Sequence, residues 1–210
     1  MKKSGCWSRT ELGTLKRFDR PSKIQRFLDR LEYKPDISCH SPRIVLKTRR
    51  AHCFEGAIFA AACLELLGHK PLLVDLRAVN DDDHVLAVYK QDGLWGAVSK
   101  SNFTTLRSRE PIYRNIRELA LSYFDFYFNT LGVKTLREYS RPMDLNRFND
   151  QCWRTSKKDI SRIGEVLDDS KHYRLVKNRI KGGFSKVESR LMKLALDGAN
   201  HKGVYKPKKE

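Results

Sequence analysis

The stretch HCFEGAIFAAACLELL, residues 52–67, decides the fold. It is apolar almost all round, and a helix without a polar face belongs inside a core. Gly68 supplies the stop, and Pro71 blocks continuation. LLVDLRAV at 72–79 then reads as a strand, and an acidic turn runs from Asn80 to Asp83. HVLAVYK at 84–90 and LWGAVSK at 94–100 flank Asp92-Gly93, the dipeptide signal of a two-residue type I′ hairpin turn. The order helix, strand, hairpin predicts an α+β core in which a buried helix packs on an antiparallel sheet, flanked by additional helices.

Upstream, PSKIQRFLDRLE at 21–32 places Ile24, Phe27, Leu28 and Leu31 on one helical face, with Pro21 in the first turn. Residues 1–20 are expected to form a loosely ordered arm, and 33–50 a loop with one extended piece, RIVLK. Downstream of the hairpin, a second apolar helix is expected from 112 to about 131. Its aromatics (Tyr113, Tyr123, Phe124, Phe126, Tyr127, Phe128) would cover the sheet. Residues 132–150 read as loop. Past Trp153 come short helical patterns, Gly182-Gly183, and an amphipathic helix near 184–196. The tail GVYKPKKE, 203–210, is expected to be disordered. The expected organisation is an arm at 1–20, an α+β domain at 21–150, and a basic helical extension at 151–210.

The hydrophobic share of 40% in 210 residues is sufficient for a packed core. No stretch approaches about 18 consecutive apolar residues, so a transmembrane helix is not expected. The opening MKKSGCWSRTELG has positive charge but no apolar run behind it and fails as a secretory signal, which leads to the expectation of a cytoplasmic protein. The cysteines (Cys6, Cys39, Cys53, Cys63, Cys152) form no CxxC pair and no run with zinc-ligand spacing, so reduced thiols are expected.

The formal charge of +17 is unevenly spread. Residues 51–103 hold four Lys/Arg against seven acids, a net of −3, which leaves +20 for the remainder. Residues 171–210 hold twelve Lys/Arg against Glu188, Asp197 and Glu210, a net of +9. A basic shell suits an anionic partner: nucleic acid, a membrane surface or an acidic protein.

Cys53 opens the buried helix, where free backbone N–H groups and the positive end of the helix dipole favour a thiolate. The same N–H groups suit an oxyanion formed when that thiolate attacks a carbonyl. Cys63, mid-helix, reads as a packing residue. His84 starts a strand directly after the helix–strand unit, and a base there activates a thiol. Three adjacent aspartates, Asp81, Asp82 and Asp83, point in different directions. No second histidine sits at ligand spacing, and no calcium loop is present, so neither metal nor cofactor is expected.

His52-Cys53-Phe54-Glu55-Gly56-Ala57, then Asp83-His84-Val85-Leu86-Ala87-Val88, then Trp95-Gly96-Ala97-Val98-Ser99-Lys100-Ser101-Asn102 together resemble the transglutaminase-like superfamily of papain-fold proteins, over roughly residues 45–105. The resemblance implies Cys53 as nucleophile, His84 as base, and an Asp on the next strand. Ser99 stands where that Asp would be. A two-residue turn pairs Gln91 with Leu94, Leu86 with Ser99 and His84 with Ser101, so Ser99 and Ser101 share the face of His84. A three-residue turn would bring Lys100 opposite His84 instead. A serine hydroxyl can accept the imidazole N–H and fix the tautomer, without a carboxylate's charge. Asn102 is a second candidate for the third member.

Around this set, Glu55 is expected to complement the helix dipole and His52 to point away from Cys53. Arg49 and Arg50 could hold an acidic substrate or lie solvated, and Tyr33 could cover the cleft. The expected function is a cysteine-dependent hydrolase or acyltransferase acting on an amide or ester in a peptide, protein or small molecule. The alternative is a fold of this kind that has lost turnover and binds an anionic partner through its basic surface.

Overall fold

A computed structural model describes residues 7–177, 181 and 183–208. The N-terminal stretch departs from its expected looseness. Ser8 and Glu11 form a capping box, with the Ser8 hydroxyl accepting the Glu11 N–H at 3.2 Å and the Glu11 carboxylate accepting the Ser8 N–H at 2.7 Å. This starts helix α1 (Arg9–Leu15) and buries Trp7 and Leu15. Helix α2 (Pro21–Asp29) follows as its spacing predicts, with Ile24, Phe27 and Leu28 buried.

Strand β1 (Glu32–Tyr33) pairs in parallel with β2 (Arg50–Ala51). Between them RIVLK is helical, not extended: α3 (Pro42–Thr48) has Pro42 in its first turn and Val45 buried. Its β-branched residues favour a strand in isolation, but packing against the next helix decides the outcome. That helix is α4 (Cys53–Leu66), and Gly68 ends it at φ +94°.

Strands β3 (Leu72–Ala78), β4 (His84–Gln91) and β5 (Leu94–Val98) then form an antiparallel set. The hairpin register is the expected one: Gln91 faces Leu94 and Ala87 faces Val98, with Asp92 and Gly93 both at positive φ. Beyond it the expected long helix is broken. Its first residues continue the sheet as β6 (Arg109–Tyr113), Asn115 caps the short α5 (Ile116–Leu121), and Phe124–Phe126 form a 3₁₀ turn.

The expected loop at 132–150 contains β7 (Leu136–Ser140) and β8 (Met143–Asp144). Helix α6 (Ser161–Asp168), strand β9 (His172–Arg174) and α7 (Ser189–Ala195) complete the order. Gly182 lies outside the described residues. The seven-stranded sheet runs β6-β5-β4-β3-β7-β9, with β8 also paired to β3.

Strand alternation gives this sheet two cores. On one face Leu73, Val85, Ala87 and Tyr89 meet α4 through Ala57, Ile58 and Ala61. On the other, Leu76, Leu86 and Val88 meet Leu119, Tyr123 and Tyr127. Among the described residues no helix is long and apolar enough to cross a membrane.

The tail is a further correction. Residues 203–208 lie in place, with their backbone hydrogen-bonded to Asn80 and Asn102. A lysine- and proline-bearing run lacks an apolar period, so its sequence reads as disorder although main-chain contacts hold it. Residues 209–210 lie outside the described residues.

Candidate functional site

Cys53 is the first residue of α4, preceded by His52 in extended backbone. Its half-buried thiol lies 3.9 Å from the Asp83 carbonyl at the head of β4. The sulfur borders a cleft of about 480 Å³ whose walls include Tyr33, Asp75, Asp83, Asp168 and Tyr205. It also borders a second, smaller cavity of about 40 Å³, shared with His84, Phe103 and Tyr127. Protein surrounds the thiol on most sides, and that burial pushes its pKa up to about 12. The backbone amides of Val85 and Phe54 oppose the rise, and Asp75 and Asp82 add to it.

His84 is 4% exposed. Alternation places it with Leu86 and Val88 on the sheet face opposite α4, its ring 6.4 Å from that of Tyr127. It reaches the cavity of Cys53 because it is the first residue of its strand, at the margin of the sheet. Among the described residues no hydrogen bond joins the Cys53 sulfur to this ring.

The other contacts of His84 fix its chemistry. Nε2 lies 2.9 Å from the Leu106 carbonyl and 3.2 Å from Ser99 Oγ. Ser99 Oγ in turn donates to the same carbonyl at 2.9 Å. A carbonyl only accepts, so Nε2 carries the proton and the neutral ring keeps its lone pair on Nδ1. Burial pushes the His84 pKa down to about 4; the Leu106 carbonyl opposes this, and Arg109 lowers it further. The resting pair is therefore a neutral thiol and a neutral imidazole.

Ser99, fully buried, lies beside His84 as the hairpin register predicts, and Gln25 holds its backbone N–H and carbonyl at 3.1 and 2.9 Å. Asn102 is not brought to His84; its amide holds Asn200 and Gly203. His52 points away from Cys53, with Nε2 3.2 Å from the Ser38 carbonyl. Arg49 lies over the Phe27 ring at 4.4 Å, and Arg50 reaches Glu32 at 3.3 Å. Tyr33 lines both cavities, as expected of a cleft cover.

Glu55 does more than complement the helix dipole. Fully buried, it accepts from Lys34 Nζ at 2.7 Å, the His40 N–H at 2.8 Å and the His52 N–H at 3.2 Å.

Two participants escaped the sequence reading. The Leu106 carbonyl orients His84, and a backbone acceptor has no residue signature. The acidic wall is the other: carboxylate oxygens of Asp75, Asp83 and Asp168 lie within 4.8 Å of one another. A cation could be held there, but protein groups already answer the charge. His172 Nε2 sits 3.0 Å from Asp75, and Arg77 sits 2.7 Å from Asp168. Asp83 accepts the Ala78 N–H at 2.7 Å, and burial still pushes its carboxyl up to about 6.

Neither a scan against protein-family models nor a search of curated proteins finds a match to this chain.

Proposed function

We propose that the chain is a cysteine-dependent acyl-transfer enzyme, a hydrolase or acyltransferase of amides or esters, resembling transglutaminase-like proteins of the papain fold. The observation that carries this reading is the tautomer of His84. The Leu106 carbonyl holds the proton on Nε2, so the lone pair is on Nδ1, in a ring bordering the cavity of Cys53. A cavity of about 40 Å³ has room for about one water, enough to relay a proton between the two groups.

In this reading Nδ1 takes the thiol proton as the sulfur attacks the carbonyl carbon, directly or through that water. The C–S bond forms as the carbonyl π-bond becomes an oxyanion, met by N–H groups of the first turn of α4. Collapse expels the leaving group, which takes the proton from Nδ1. Water or an acceptor nucleophile then releases the acyl group. Because both groups rest neutral, proton transfer accompanies attack instead of preceding it.

The competing reading is a binding protein with a retired thiol. It is favoured by the high pKa of Cys53 and by the absence, among the described residues, of a Cys53–His84 hydrogen bond. Intact-mass analysis after exposure to an activated aryl ester separates the two. The enzyme reading expects one acyl group on Cys53, none in Cys53→Ser, and acylation slowed by about 10²-fold or more in His84→Gln. Acylation indifferent to His84 sinks it.

A further inference from the structure

One wall of the cleft beside Cys53 is a segment of the chain itself, through Lys202, Gly203, Val204 and Tyr205. Tyr33 and Asn102 hold one end of this segment: Asn200 Nδ2 donates to the Tyr33 carbonyl at 3.0 Å, and the Asn200 N–H donates to Asn102 Oδ1 at 2.8 Å. Asn102 Nδ2 donates to the carbonyls of both Asn200 and Gly203 at 3.0 Å. At the other end Asn80 takes Lys208 by both main-chain groups, donating to its carbonyl at 2.9 Å and accepting its N–H at 2.8 Å.

Between these clamps the chain runs without helix or strand after Gly203, and Tyr205 borders both cavities of Cys53. Gly203 lies so close to Tyr33 that a Cβ there would fall 2.7 Å from the ring.

Two properties of the clamps identify what they bind. Both asparagines read main-chain groups, Asn102 across the 3₁₀ turn His201–Gly203 and Asn80 at Lys208, so apart from Asn200, whose side chain caps that turn, they demand no particular side chain. The wall supplies the charge preference. Of the acids that line the cleft, Asp36 meets Lys34, Asp75 meets His172 and Asp168 meets Arg77, whereas Asp82 and Asp83 have no ion-pair partner among the described residues and face the same cleft as Lys202 of the segment.

We propose that this cleft is a binding site for a lysine-bearing peptide held by its main chain, and that residues 200–208 are its resident occupant. The inference rests on the reading that the cleft beside Cys53 receives ligands, and names their class; it does not require turnover. Val204 and Tyr205 are only half-buried, so the occupant is released by local opening and a peptide in trans takes its place.

The test is fluorescence anisotropy with a labelled synthetic peptide of sequence NHKGVYKPK, using the full chain carrying Cys53→Ser so that no acylation intervenes. Gly203→Val or, separately, Asn200→Ala loosens the resident segment while leaving Asn80, Asn102 and the acidic wall intact. Because a competent cleft populated only a small fraction of the time weakens apparent affinity in proportion, either variant is expected to tighten peptide binding by about tenfold or more. Adding Asn80→Ala should remove that gain. Replacing the three peptide lysines by glutamine should weaken binding, with the loss greatest at low salt.

Peptide binding no tighter in either loosened variant overturns the proposal, as does a gain that survives Asn80→Ala. Peptide binding as expected, with no ester acylation of the Cys53 protein, keeps this site and discards the enzymatic reading. Acylation without peptide binding does the reverse.

Discussion

Gly56, in the first turn of α4, faces Lys100 so closely that a Cβ would fall 2.2 Å from Lys100 Cβ and 3.4 Å from its Cα. Lys100 cannot swing aside, because it is buried and its ammonium donates to the Leu31 carbonyl at 2.6 Å. Glycine here lets the head of α4 lie against the chain leaving β5, which sets Cys53 at the sheet margin. Gly56→Ala is overpacking against a main chain, and should cost about 1–3 kcal/mol in urea unfolding. It should also change the alkylation rate of Cys53. An unchanged rate with full stability would show that the helix head has room to spare.

The buried pair Lys34–Glu55 leads to a second expectation. Both side chains are within a few per cent of full burial, and Glu55 also accepts main-chain N–H groups of His40 and His52. Glu55→Gln leaves the buried ammonium with only the exposed Asp36 carboxylate, 3.2 Å away, as counter-charge, and should cost up to about 3–5 kcal/mol. Lys34→Met/Glu55→Gln should recover most of the loss, because the glutamine carbonyl still accepts those N–H groups. A double variant no more stable than Glu55→Gln would remove charge from the explanation. Thermal melts of the wild type and the two variants decide it.

These two relationships show how much of the site was legible in the sequence. Residues 52–102 declared themselves, because an all-apolar helix, an Asp-Gly turn and period-two strands are local signals. Ser99 could be placed beside His84 by counting back from that turn. The sheet face of His84 relative to α4 was not stated by any local pattern, since it depends on which side of the sheet the helix crosses. Residues 112–131 misled for a similar reason. Tyr113 and Ile112 are as apolar as a helix would have them, but Tyr113 pairs with Trp95, and that edge position was open only in three dimensions. Asn80 read as a turn residue and Asn102 as a candidate third member of the site; nothing in their neighbourhoods announced that each would hold a segment about a hundred residues away.

His84 should make folding stability fall as the solution is acidified. Its folded pKa is about 4 against the ordinary 6.5, so below pH 6.5 the unfolded chain takes up a proton that the folded chain refuses. Stability from this group is complete above pH 6.5 and is lost as pH falls toward 4. Asp81 and Asp83, both pushed up to about 6 by burial, act in the opposite sense: they bind protons more readily when folded and oppose the loss below pH 6. The comparison with His84→Gln isolates the histidine. Wild type should lose about 2–3 kcal/mol relative to the variant between pH 7 and pH 4.5, from about 1.4 kcal/mol per pKa unit. Parallel stability curves would mean that His84 titrates normally.

Ser99→Asp tests why this pair rests neutral. The serine donates its own proton to the Leu106 carbonyl and offers His84 an uncharged acceptor. A carboxylate at 99 loses that donation and turns two acceptors toward one another, so stability should drop by about 1–3 kcal/mol. It also places a negative charge beside Nε2, which raises the His84 pKa from about 4. A protonated His84 bordering the cavity of Cys53 then favours the thiolate, and the alkylation midpoint of Cys53 should move down from about 12. The imidazole resonances report the first shift and alkylation rates against pH report the second. If the imidazole shift occurs while Cys53 labelling stays where it was, the two residues are uncoupled across the cavity, and His84 does not serve that thiol.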